Sequence, residues 1–298
     1  MKRTGILLTA LAVFTAVSIY SGFSVFPQSR NSRAILTIPP PAPDHRIQYG
    51  SEPLQFGELR LPAGRGPHPV AVIIHGGCWM SEYGLAYMGH MAAALAKEGV
   101  ATWSIEYRRV GDAGGGWPGT FRDVAAGTDY LRVLASKYPL DLGRVIVAGH
   151  SAGGHLALLL AARGDLPGQA SDPLKLSAVV PMAAITDLRR TGTACDSSVS
   201  MLMGGSAAER AEQYDIASPI NRLPIRTSQT FIHGEDDRIV PPGMVRDYAE
   251  AARKRGDDPG VILIPKAGHF EIVDPESSAW PKVREEILRL IKTVVSKK

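Results

Sequence analysis

Residues 145–162 read VIVAGHSAGGHLALLLAA. A β-branched run comes first, then Gly149-His150-Ser151-Ala152-Gly153, then an alanine–leucine run. The first part has the pattern of a buried strand and the last that of a helix. The glycines two residues either side of the serine mark a sharp turn from strand to helix. Such a turn lifts a serine hydroxyl above a helix N-terminus, whose N–H groups face developing negative charge. With 31 glycines in 298 residues, the five-residue pattern proves little by itself, and its flanks must carry it. Here strand, turn and helix follow in the required order, and they make Ser151 a candidate nucleophile.

Outward from this stretch, strand and helix patterns alternate. Residues 47–49 and 56–61 predict an opening β-hairpin, followed by a turn cluster over 62–67. Residues 70–74 are continuously apolar, as in a strand covered on both faces. Helix 88–98, strand 101–107, a glycine-rich loop over 111–119 and helix 120–137 come before strand 145–148 and helix 152–163. Then come strand 176–182, an irregular stretch 191–219 with one short helical piece, strand 230–233, helix 242–255, strand 261–264 and helix 280–295. This order predicts an α/β fold: a mainly parallel sheet with helices on both faces and an antiparallel N-terminal hairpin. One domain spans 44–298, with a small cap insertion over about 188–220, and no internal repeat is visible.

Composition is that of a globular protein: 45% apolar, 21% charged and a net charge of +4. No Lys/Arg block marks a nucleic-acid surface. The N-terminus departs from this pattern. Met1-Lys2-Arg3 leads into an uncharged stretch, residues 4–26, with Ala16-Val17-Ser18 as a small-residue cleavage site. Residues 1–26 are therefore expected to be a signal peptide that exports the chain to the periplasm or beyond the cell. Left uncleaved, the stretch is long enough to anchor the chain in a membrane, the only membrane contact expected. Residues 27–43 are polar and then proline-rich and read as a stiff linker. The two cysteines, Cys78 and Cys195, either pair after export or remain as two buried thiols; their spacing leaves both open.

A nucleophilic serine needs a base, and the base needs an acid to orient it. Strand 230–233 runs into His233-Gly234-Glu235-Asp236-Asp237, and strand 261–264 runs into Gly268-His269-Phe270. The chain order serine, acid, histidine is met by Ser151, one of Glu235, Asp236 or Asp237, and His269. Asp187, after strand 176–182, also precedes the histidine and competes for the acid's role. The strand over 70–74 ends in His75-Gly76-Gly77-Cys78-Trp79, a glycine turn that exposes backbone N–H groups. With the Ala152 N–H it would form an oxyanion hole.

These motifs resemble those of the α/β-hydrolase superfamily, in its esterase/lipase branch. The likeness is to bacterial carboxylesterases and kynurenine-formamidase-like enzymes with a His-Gly-Gly-x-Trp motif, and it covers residues 45–298. It implies that Ser151 is the nucleophile, Asp237 the acid and His269 the base, with Gly77, Cys78 and Ala152 as oxyanion donors. It also implies a serine carboxylesterase that cleaves a small ester through an acyl-enzyme and needs no cofactor or metal. Formamide or other amide cleavage is the alternative, followed by a prolyl-oligopeptidase-like peptidase, whose usual N-terminal propeller finds no counterpart here. A non-catalytic binding protein is the remote alternative, since such proteins lose a triad member. The third glycine of the hormone-sensitive-lipase-like group is Cys78 here.

The other features read as support for this site. His75 is expected to brace the oxyanion turn, while His150 fills the variable position of the elbow. His155 has no metal-ligand spacing around it. Glu106 and Asp123 read as partners of nearby arginines. Trp79, Trp117 and Trp280 lie beside motif ends, and Trp79, Trp117 and Met203 are candidate substrate contacts. A Cys78–Cys195 bridge would pin the cap to the oxyanion turn.

Overall fold

The computed structural model describes residues 31–164, 166–168 and 170–293. The expected export segment, residues 1–26, lies outside them, as does the end of the expected last helix.

Strands β1 (His45–Gln48) and β2 (Phe56–Arg60) form the predicted hairpin. Next come β3 (His68–Ile74), helix α1 (Gly89–Lys97), β4 (Ala101–Ile105), α2 (Gly119–Asp129), α3 (Leu131–Ala135), β5 (Leu140–His150) and α4 (Ala152–Ala162). The second half holds β6 (Ala178–Met182), α5 (Asp196–Met203), α6 (Ala211–Ala217), β7 (Ser228–Gly234), α7 (Gly243–Lys254), β8 (Gly260–Ile264) and α8 (Trp280–Thr293). The eight strands make one sheet in the order β1-β2-β4-β3-β5-β6-β7-β8. The hairpin is antiparallel, and β2 pairs antiparallel with β4; the remaining pairs are parallel.

Strand alternation distributes the core. Val70, Val72 and Ile74 of β3 and Val145 and Val147 of β5 face one layer, with Leu156 of α4 and Val245 and Tyr248 of α7. Ala71 and Ile73 of β3 and Ile146 and Ala148 of β5 face the other, with Met91 and Leu95 of α1 and Val283 and Ile287 of α8. Both faces are covered, which explains the unbroken apolar runs. Helix α4 is buried over Ala152–Leu160 because it is apolar all round. By contrast, α7 and α8 bury one stripe each, at i, i+3 and i+4 spacing.

Three expectations need amendment. The helix over 120–137 is two helices that meet at Tyr130. The Trp103 indole N–H takes the Gly127 carbonyl (2.8 Å), and the Thr128 hydroxyl bonds back to Val124 O (2.8 Å); both intrusions loosen the helical ladder. The stretch 191–219 holds two helices rather than one short piece. Ser206 and Glu209 exchange hydrogen bonds in the turn just before the second of them. Finally, residues 31–43 pack against the domain instead of standing off as a linker. Residues Ser32–Leu36 form a short 3₁₀ turn that buries Ile35, and Arg60 Nη2 donates to Pro41 O (2.9 Å).

Candidate active site

Parallel register brings the important strand ends to one edge of the sheet. Ile74 lies beside Gly149, Met182 beside both His150 and Ile232, and Gly234 beside Ile264. The loops that leave β3, β5, β7 and β8 therefore rise together, and they carry His75–Trp79, Ser151, Asp237 and His269.

Ser151 is the single residue between β5 and α4, at φ 57° and ψ −120°. Only a few kinds of site hold a non-glycine residue there, since the strain costs about 1–3 kcal/mol. The flanking glycines permit it. A Cβ on Gly149 would lie 2.1 Å from Gly153 O, and one on Gly153 would lie 2.2 Å from Ile74 O. The Ser151 N–H is already bonded to Met182 O (2.8 Å). Ala152 opens α4, where the first N–H groups have no intrahelical acceptor.

The expected oxyanion turn runs Gly77, Cys78, Trp79 with φ of 102°, 50° and 59°. Gly76 N–H donates to Tyr87 Oη (2.7 Å), whereas the Gly77 and Cys78 N–H groups meet no protein acceptor among the described residues. His75 holds the base of the turn. Its Nε2 meets Glu106 Oε1 at 2.8 Å, and its ring stacks on Tyr107 at 4.3 Å. The Tyr107 hydroxyl donates to His75 O (2.8 Å). Glu106 is thus first a partner of His75, with Arg109 farther off at 3.7 Å. Burial would raise its carboxyl, but His75, Arg109 and the Leu85 N–H hold it below its ordinary value. Asp123 pairs with Arg108 as expected, at 2.7 Å.

Cys78 and Cys195 form a disulfide across 117 residues of chain. Ala194 N–H, one residue earlier, donates to Ile239 O (2.9 Å) in the loop that carries Asp237. The entry to α5 is thereby tied to two of these loops, covalently to the one that carries Cys78 and by a hydrogen bond to the one that carries Asp237.

His269 Nδ1 donates to Asp237 Oδ2 at 2.7 Å, so Nε2 is the ring nitrogen left to act as a base. Asp237 Oδ1 accepts from the Ile239 and Val240 N–H groups, at 2.8 and 3.0 Å. Burial would raise the Asp237 carboxyl; hydrogen bonds from His233, His269 and Val240 outweigh it and hold the group well below the usual carboxylate range. Glu235 and Asp236 are exposed. Asp187 accepts from Arg189 N–H (2.8 Å) in its own turn. The acid that reaches His269 is therefore Asp237.

A chain of buried hydrogen bonds links these parts from beneath. Tyr87 Oη accepts from Gly76 N–H, so its proton is directed to His150 Nδ1 (2.9 Å), and His150 Nε2 donates to His269 O (3.0 Å). This assignment follows from the partners. It needs a neutral imidazole, and burial together with nearby His269 pushes the His150 pKa well down.

Ser151 and His269 line one cleft of about 180 Å³ with Gly77, Cys78, Tyr83 and Tyr87. Leu36, His150, Ala194, Ile239 and Phe270 complete its wall. The proposed substrate contacts lie elsewhere. Trp79 is fully buried and edge-on to His155 at 5.2 Å. Met203 is buried in the core, and Trp117 packs on Phe121 at 4.9 Å. Trp280 starts α8, on the far face of the sheet. An aromatic or sulfur side chain near a motif reveals nothing of which way it points. Of the residues missed, Phe270 had a signal, being next to His269, while Leu36, Tyr83 and Ala194 had none. Among the described residues no three His, Cys, Asp or Glu side chains converge as metal ligands. His155 bonds to Ala217 O (2.7 Å), and burial pushes its pKa down to about 4. No helix among the described residues is long and apolar enough to cross a membrane.

A family model described as BD-FAE matches residues 58–251, more than half of the chain. The chain belongs to the BD-FAE family. This is an esterase family of α/β-hydrolase fold, and the BD-FAE match takes in the oxyanion turn, Ser151 and Asp237. Among curated proteins, the chain is 29% identical to esterase LipC of Mycobacterium tuberculosis, over 77% of this chain and 60% of that one. It is 24% identical to a probable isoprenylcysteine alpha-carbonyl methylesterase of Arabidopsis thaliana, over 82% of this chain and 55% of that one. The chain thus spans little more than half the length of these relatives. Among solved structures it resembles a truncated carbohydrate esterase from gut microbiota, with TM-score 0.72, 22% identity and coverage of 83% and 95%. It also resembles esterase B of Lactobacillus rhamnosis, with TM-score 0.76, 19% identity and coverage of 89% and 91%. At these identities the structural likeness is one of fold, and it bears out the mainly parallel sheet with its antiparallel hairpin.

Proposed function

We propose that this protein is a serine hydrolase that cleaves small carboxylic esters through an acyl-enzyme. The observation that carries the reading is the convergence of three parts in one cleft: the strained Ser151, the His269–Asp237 pair, and the unengaged Gly77 and Cys78 N–H groups. Ser151 Oγ attacks the ester carbonyl while His269 Nε2 takes its proton. The oxyanion bonds to the N–H groups of Gly77, Cys78 and Ala152. His269 then protonates the leaving alcohol. Water, deprotonated by His269, releases the acid and restores Ser151. Asp237 stays ionised throughout and stabilises the imidazolium. The esterase names of the relatives support an ester over an amide, and the small cleft supports short chains. We further propose export, which the Cys78–Cys195 disulfide supports because such bridges persist in oxidising compartments.

A fluorophosphonate probe and p-nitrophenyl esters test the reading. The wild type is expected to be labelled and to turn over short esters. Ser151→Ala is expected to lose labelling and roughly 10⁶-fold in kcat. Labelling that survives in Ser151→Ala refutes the nucleophile. Faster turnover of N-formylkynurenine or a proline dipeptide amide than of any ester moves the protein to the amide class.

A further inference from the structure

The wall of the cleft includes three residues from outside the matched family region: His269 and Phe270 follow it, and Leu36 alone precedes it. That region begins at residue 58, whereas Leu36 belongs to the strap over 31–43 that precedes the hairpin. The strap is fastened at several points. Ile35 is 1% exposed and packs in the same core layer as Tyr87, Met88 and Met91. Ile38 O accepts from His90 Nε2 (3.0 Å), and Pro41 O accepts from Arg60 Nη2 (2.9 Å). The Arg33 guanidinium lies 5.8 Å over the ring of Phe270, the residue after His269. Anchored on both sides, Leu36 presents an apolar side chain, 37% exposed, to the cleft that holds Ser151 and His269.

We propose that this strap sets the size of the substrate group the cleft accepts, with Leu36 as the specificity-determining wall. The proposal rests on the ester-hydrolase reading. A cleft of about 180 Å³ is small beside the 300–1,000 Å³ usual for ligand sites, so one side chain can decide which groups fit. The class favoured is an ester whose apolar group is only a few carbons long. Each further methylene must then either displace Leu36 or remain in water, where it forgoes about fourfold in transition-state binding.

The test measures kcat/KM for p-nitrophenyl acetate, butyrate and octanoate on the full chain. In Leu36→Ala the octanoate-to-acetate ratio is expected to rise about tenfold, and in Leu36→Trp to fall about tenfold, the range of one or two methylenes in a pocket. Ile38→Ala serves as the control, because Ile38 is exposed on the same strap and does not line the cleft; its ratio is expected to match the wild type. Unmoved ratios in both Leu36 variants of an active enzyme overturn the wall alone. So does an Ile38→Ala shift as large as that of Leu36→Ala. A wild type silent on every ester overturns the ester-hydrolase reading, and the wall with it.

Discussion

The two sides of the cleft are held by different forces. On the oxyanion side, the turn from His75 to Trp79 is fixed covalently through Cys78 and braced from below by His75 and Glu106. On the acid–base side, Asp237 and His269 are placed by hydrogen bonds from backbone N–H groups and from each other. The proposed oxyanion donors are backbone N–H groups, and backbone direction is secured by constraining the chain. A base must exchange protons, so it is positioned by partners that follow its charge. The two sides should therefore fail under different insults.

The largest effect is expected on the acid–base side. Asp237→Asn keeps the shape of the side chain but presents the wrong tautomer to His269, so kcat should fall about 10⁴-fold with the fold retained. A loss below tenfold would hand the orienting role to another group. The oxyanion side is broken by removing its tether. Cys78→Ala with Cys195→Ala, or reduction of the native protein, should lower kcat about tenfold at similar KM. That is less than the 10²–10³ of a deleted oxyanion donor, because the N–H groups remain and only their direction loosens. The bridge closes a loop of 117 residues, so unfolding should become easier by about 2–5 kcal/mol. Unchanged denaturation midpoints after reduction would contradict this.

Tyr87→Phe tests the connection between the sides. It removes the acceptor of Gly76 N–H and the donor to His150 at once. We expect kcat to fall about threefold to tenfold and stability by about 1–3 kcal/mol, the cost of a buried unsatisfied group. A kcat equal to wild type would leave Tyr87 a purely structural role. The smallest effect is in pH. The folded Asp237 carboxyl titrates below its unfolded value of about 4. The stabilisation it carries is thus complete above that value and is lost as pH falls toward the folded one. The melting-temperature gap between wild type and Asp237→Asn should shrink as pH falls from 5 toward 3. A gap that widens on acidification would reverse the sign of the shift.

Much of this architecture was legible in the sequence because it is locally encoded. The buried strand, Gly-x-Ser-x-Gly and apolar helix over 145–162 define the elbow within one stretch of chain. Glycines there are obligatory, since a Cβ would meet backbone within 2.2 Å. Strand alternation likewise places the acid and histidine loops at the same sheet edge. Spacing by itself left three neighbouring acids open, whereas burial separates them: Asp237 is 4% exposed, and Glu235 and Asp236 face solvent. The cap was only partly legible: one short helical piece was expected where two helices form.

The sequence by itself determined the order of strands and helices, the elbow, and which residue types could act as base and oxyanion turn. These depend on periodicity and on turns a few residues long. Only the tertiary structure decided that Cys78 meets Cys195, that His75 pairs with Glu106, and that Tyr87 joins Gly76 to His150. It alone sent Trp79 and Met203 into the core and brought Leu36 to the cleft. Each of these contacts joins elements far apart in the chain, and side-chain direction depends on how those elements pack.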